Sequence, residues 1–143
     1  MNRKPTLSKL TKRAKLKIKK RTTSQRKHDL HEKWAKIIKH RAGWKSELSG
    51  SGGIMNAHHI ARKPNYYLRF SLDNGICITQ GEHKFGVHGE RAEEYRAMII
   101  RKIGQERWDR LHSLRLSAPM MTLDEAETML DKELAKYQNK GGV

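Results

Sequence analysis

Residues 55–89 read MNAHHIARKPNYYLRFSLDNGICITQGEHKFGVHG, and the fold turns on this stretch. It holds four of the chain's eight histidines: His58, His59, His83 and His88. Ile54–Ile60 predicts one short strand and Ile76–Thr79 another, as brief apolar runs bounded by turn residues. Between them, Ala61–Gly75 carries Pro64, Asn65, Asp73, Asn74 and Gly75, which predict turns. A helix is expected from Gly81 or Glu82, with interruptions at Gly86 and Gly89. Neighbouring strand residues point to opposite faces, so His58 and His59 are expected to divide two tasks. One can meet a metal on the following helix while the other meets substrate or water. Imidazole suits both, because its pKa lies near neutrality and its neutral ring binds metals. A strand ending beside a helix N-terminus also brings backbone N–H groups towards a phosphate.

Helices are expected on both sides of this unit. Residues 24–42 place Leu30, Trp34, Ile37, Ile38 and Trp44 on one apolar face, with Lys33, Lys36, Lys39 and Arg41 opposite. Ser24 is the expected N-cap and Gly43 the stop. Residues 49–53, SGSGG, are a flexible break. Glu90–Ile103 predicts a helix burying Tyr95, Met98, Ile99 and Ile103, ended by Gly104. Gln105–Leu116 predicts another around Trp108, Leu111 and Leu114. After Pro119, Thr122 and Glu125 form a capping box for a last helix to about Tyr137, burying Leu123, Ala126, Leu130 and Leu134. The expected division is a basic arm over 1–22, a central domain over 23–116 with its core at 54–89, and a C-terminal helix over 117–143.

Charge is distributed as unevenly as the histidines. The 143-residue chain carries a formal net charge of +16. Residues 1–45 hold 17 Lys/Arg against Asp29 and Glu32, a net of +15, so one third of the chain carries nearly all the excess. Such an arm attracts polyanions by counterion release, and DNA is the expected partner. Lys12, Arg13, Lys19, Lys20 and Arg21 are its candidate DNA contacts, with Arg62, Lys63, Arg69 and Lys84 around the histidines. The single cysteine, Cys77, excludes an internal disulfide. The sequence has neither a membrane-length apolar run nor the apolar stretch of a secretory signal. These features predict a soluble, intracellular protein without a membrane partner.

The ordered set His58-His59, Asn74, His83 resembles the HNH endonuclease family. The spacings are similar to those of its colicin-type nucleases. The wider stretch RAGWK, HHI, LRFSLDNG and the closing histidine resembles the phage and bacterial pattern, and covers about a third of the chain. The resemblance implies an α+β, mostly helical fold. At its centre would stand a ββα-metal (His-Me finger) motif, a short hairpin flanked by several helices and the basic arm. It implies a metal-dependent hydrolase cutting DNA phosphodiester bonds, of the phage-type or homing endonuclease kind, acting on duplex DNA and leaving 5′-phosphate and 3′-hydroxyl ends. His59 would be the general base, and Asn74 would fix its orientation across the loop. His58 and His83 would hold one divalent ion (Mg, Mn or Zn). His88 would be a third ligand, although it stands five residues after His83 where the colicin-type pattern has four.

A second departure concerns structural zinc. Many relatives carry four cysteines where this chain has Ser46, Ser49, Thr79 and Glu82, and these side chains do not replace thiolates. No structural zinc is expected, and packing by Trp34, Trp44, Tyr95 and Trp108 should make up the lost stability. Cys77 lies outside the pattern and is expected as a small buried residue. The competing reading is a non-catalytic nucleic-acid-binding protein with a degenerate HNH fold. A basic protein of ribosomal type would explain the first 45 residues but not the histidines.

Overall fold

The structure, a computed structural model, describes residues 20–140. Helix α1 spans Thr23–Arg41. Thr22, not Ser24, is its N-cap: the Thr22 hydroxyl accepts from the Gln25 N–H, and the Gln25 side chain accepts from the Thr22 N–H. This reciprocal pair satisfies two backbone donors two residues earlier than Ser24 would. Leu30, Trp34, Ile37 and Ile38 form the buried face. Trp44 departs from expectation, being 47% exposed. Gly43 and Trp44 are both left-handed, at φ 66° and 59°. Their N–H groups return to the carbonyls of His40 and Lys39, a Schellman ending. That ending swings Trp44 off the apolar face, where His40 meets its ring edge-on and Lys39 lies over it.

Strand β1 (Met55–His59) pairs antiparallel with β2 (Gly75–Thr79). The register sets His59 opposite Gly75, His58 opposite Ile76 and Ala57 opposite Cys77. The connection is more ordered than its turn residues suggested. It contains a short helix, α2 (Tyr66–Phe70), and a 3-10 turn at Leu72–Asn74. Asn65 caps α2 by accepting from the Leu68 N–H. A five-residue helix is too short to show periodicity, so only its cap was available to be read.

Each sheet face meets its own set of helices. Met55 and Cys77 pack with Leu30, Trp34, Ile37, Ile38, Phe70, Ala126 and Leu130. Ile76 and Ile78 pack with Leu68, Ile99, Trp108 and Leu111. The helices of the second layer are α3 (Ala92–Ile103) and α4 (Gln105–Ser117). Met98, Ile103 and Leu114 are only partly buried there. Helix α5 (Leu123–Lys140) returns across α1. Leu123 and Leu134 are partly buried beside its Ala126 and Leu130. Thr122 accepts from the Glu125 N–H at its start. Arg26 pairs with Asp124, and Lys33 with Asp131, tying α1 to α5. The fold is therefore α+β and mostly helical, with one two-stranded antiparallel sheet. Among the described residues no helix is long and apolar enough to cross a membrane.

Gly75 decides how closely α1 approaches the sheet. A Cβ there would sit 2.5 Å from Ile38 Cδ1 and 2.7 Å from Trp34 Cζ2. With hydrogen at that position, α1 lies against β2 and Trp34 reaches the residue paired with Gly75, His59.

Candidate metal centre and cleft

Strand alternation separates His58 from His59, as the sequence requires. His59 lies on the α1 side, with its ring parallel to Trp34 at 3.9 Å between centroids and 5° between planes. His59 Nε2 is 2.9 Å from the Arg69 carbonyl. A carbonyl can only accept, so Nε2 carries the proton and Nδ1 keeps the basic lone pair. Burial lowers the His59 pKa to about 4; the Arg69 carbonyl works against that, and Lys63, His31 and Arg69 add to it.

His58 lies on the other side, facing the segment after β2. That segment, Glu82–Val87, is a π-helical turn rather than the α-helix start expected. The His88 N–H reaches the His83 carbonyl at 3.3 Å, a five-residue hydrogen bond. Such a turn brings residues five apart onto one side. His83 and His88 Nε2 atoms are consequently 3.2 Å apart. One nitrogen from each of His58, His83 and His88 lies within 4.8 Å of the others. Two imidazole nitrogens bound tetrahedrally at about 2.0–2.1 Å would stand about 3.3 Å apart. Burial, then His83 and His88, lowers His58 to about 3. Burial and then His88 also lower His83. These rings are neutral at neutral pH, the state that ligates a metal. The residues therefore fit a divalent ion. Asn56 Nδ2 donates to His83 Nδ1 at 3.2 Å. Turned over, the same amide would accept from Nδ1–H and leave Nε2 free as a ligand.

Asn74 is fully buried and does not touch His59. Its Oδ1 accepts from the Ala61 N–H at 2.8 Å, while Nδ2 donates to the carbonyls of Ala61 and Leu68. It thus clamps the loop whose next residue, Arg69, offers the carbonyl to His59. Asn74 thus bonds across the loop, as expected, and meets His59 only through the segment that carries the Arg69 carbonyl.

An open cleft of about 560 Å³ joins these groups; His31, His58, His59, Arg62, Lys63, His83 and His88 line it. His31 was missed in the sequence. Its signal was available: it stands three residues before Trp34, at the edge of the apolar stripe of α1. Its ring lies 5.8 Å from that of His59. Lys84 is exposed over the Phe85 ring. Arg69 does not line the cleft but acts electrostatically on His59, His31 and Lys63. Lys20 is exposed. Arg21, expected in a loose arm, is instead ion-paired to Asp29 at 2.6 Å and lies 3.7 Å from Glu127. Lys12, Arg13 and Lys19 lie outside the described residues.

Ser46, Ser49, Thr79 and Glu82 come together as a hydrogen-bonded group. Ser46 Oγ accepts from the Ser49 N–H, and Thr79 and Glu82 bond reciprocally. Burial pushes the Glu82 carboxyl up, but hydrogen bonds from Ser46, Thr79 and Ser49 outweigh it and hold the carboxyl below its usual range. Cys77 is buried, and burial raises its thiol to about 11. Trp34, Tyr95 and Trp108 are buried; Trp44 alone of the four aromatics is not. No protein family, curated protein or solved structure matches this chain.

Proposed function

We propose that the chain is a metal-dependent DNA endonuclease of the HNH class, and that Met55–His88 is its ββα-metal unit. One observation carries the reading: His58, His83 and His88 converge to within 4.8 Å beside a fourth, neutral imidazole, His59, in a single open cleft. Structural histidines are satisfied singly, by carbonyls or carboxylates. His58, His83 and His88 are instead turned on one another, an arrangement that a shared cation would satisfy.

The chain's own residues account for the chemistry as follows. Arg62, Lys63 and Lys84 attract the phosphodiester. His59 Nδ1 takes a proton from water as the water oxygen bonds to phosphorus. The phosphorus–3′-oxygen bond breaks, and the leaving oxygen takes a proton from solvent. The product ends are a 5′-phosphate and a 3′-hydroxyl. Trp34 and the Arg69 carbonyl hold the His59 ring against reorientation. His58, His83 and His88 would hold one divalent ion, which supplies positive charge to the scissile phosphate and leaving oxygen. Three nitrogen ligands favour zinc or another borderline metal for binding.

Cleavage of supercoiled plasmid in EDTA, then with Mg²⁺, Mn²⁺ or Zn²⁺, tests this directly. The wild type should nick or linearise only with metal. His59→Ala should lose roughly 10²–10⁴ in rate while still binding DNA. Absence of cleavage in every metal, with equal binding by both proteins, would replace this reading with that of a non-catalytic DNA-binding module.

A further inference from the structure

Among the described residues, two buried side-chain nitrogens lack any hydrogen-bond partner: His31 Nδ1 and Arg69 Nε. Both belong to neighbours of His59. His31 stacks on the His59 ring, and Arg69 supplies the carbonyl that holds it. A buried polar atom without a partner is uncommon and costly. Both residues flank His59, so this side of the ring is short of acceptors.

The charges nearby point to its sign. Burial and then Arg69 hold the Lys63 ammonium below its usual range. Burial, Lys63 and Arg69 do the same to His31. No carboxylate pairs with Arg62, Lys63 or Arg69 among the described residues, and no acidic side chain lines the cleft. Arg26, Arg107 and Arg110, by contrast, each pair with an aspartate. Glu32 acts on His31 more weakly than these cations do; cations without an ion-paired acid, beside unsatisfied nitrogens, form a site for an anion.

We propose that the α1 side of the cleft is a subsite for a second, non-scissile phosphate of the nucleic-acid backbone, bound by His31 and Lys63 with the positive charge of Arg69 behind them. The inference rests on reading the cleft as a nucleic-acid site, but it requires neither a metal nor cleavage. His59 stands between this subsite and the His58–His83–His88 group. A backbone bound on both sides of His59 is fixed in direction across the general base. The preferred substrate is thus a strand with a phosphate flanking the scissile one, rather than a single isolated phosphodiester.

The test uses the full chain in EDTA, with histidine rings labelled for NMR. Inorganic phosphate should move the His31 and His59 ring signals saturably, while sodium chloride at equal ionic strength should not. Lys63→Ala, an exposed substitution, should weaken phosphate about tenfold, the loss expected for one charged hydrogen bond. A short duplex should move the same signals and compete with phosphate. In duplex binding, Lys63→Ala should reduce the salt slope by about one, as for one lost phosphate contact. Ring signals that ignore phosphate, or phosphate affinity unchanged in Lys63→Ala, would overturn the subsite. Phosphate that moves His31 while duplex leaves it unmoved would overturn its assignment to nucleic acid. Because every arm is metal-free, failed cleavage and a failed subsite remain separate results.

Discussion

Asn74 shows how much one buried amide can govern. It satisfies three backbone groups, Ala61 N–H, Ala61 C=O and Leu68 C=O, and it is closed to water. Asn74→Ala strands all three. At about 1–3 kcal/mol for each unsatisfied buried group, and with partial relaxation, a loss of about 3 kcal/mol is expected in urea unfolding. The same substitution frees the loop that aims the Arg69 carbonyl. Because that carbonyl raises the His59 pKa, its loss should move the His59 titration, read by NMR, further down from about 4. A stability loss with His59 unmoved would make Asn74 a fold residue only. The position of Asn74 was legible from its spacing to His59 and His83. Its partners were not, because they are backbone atoms of a loop whose short helix has too few residues to announce itself.

Among the elements, the π-helical turn decides whether His83 and His88 meet His58. A spacing of five between His83 and His88 puts them on different sides of an α-helix, and the sequence alone left the role of His88 open. Phe85-Gly86 and Gly89 were readable as interruptions, but not the kind of turn they make. The structure answers with a five-residue hydrogen bond that brings the two rings together edge to face, 4.7 Å between centroids. Gly89 is essential to that turn, because a Cβ there would run into the Phe85 carbonyl. Gly89→Ala should therefore open the turn and swing His88 away. Zinc affinity by calorimetry should fall at least about tenfold, in the range seen when the support of a metal ligand is lost. Circular dichroism should stay close to wild type, since Ile99, Trp108 and Leu111 anchor α3 and α4 in the core. Unchanged zinc affinity would mean that His88 is not a ligand. The two strands, by comparison, were legible to within a residue or so, because β2 is a continuous apolar run and turn residues bound it. The Trp44 error has the opposite cause. Apolar periodicity continued past Gly43, and only the left-handed ending shows that the helical face had already stopped.

Across the whole molecule, the histidines couple the cleft to stability. His58 and His59 titrate at about 3 and 4 in the folded chain, and His31 and His83 also lie below 6.5. In the unfolded chain all four return to about 6.5. Below that pH the unfolded state binds more protons, so stability falls as pH drops. The loss begins near pH 6.5 and continues towards the folded values, a window above that of ordinary carboxylates. By pH 5 it amounts to on the order of 2 kcal/mol each for His58 and His59. Urea midpoints of chelator-treated protein at pH 8, 6.5 and 5 should therefore fall slightly over the first interval and steeply over the second. His58→Gln should flatten the second interval in part. Zinc should protect against the fall, because a metal-bound imidazole cannot take the proton. A midpoint independent of pH down to 5 would mean that the cleft is wet enough to keep these imidazoles near their ordinary pKa. The candidate base would then lose its neutral form just below neutrality, and plasmid cleavage should fail below about pH 6.5 rather than persist to pH 5.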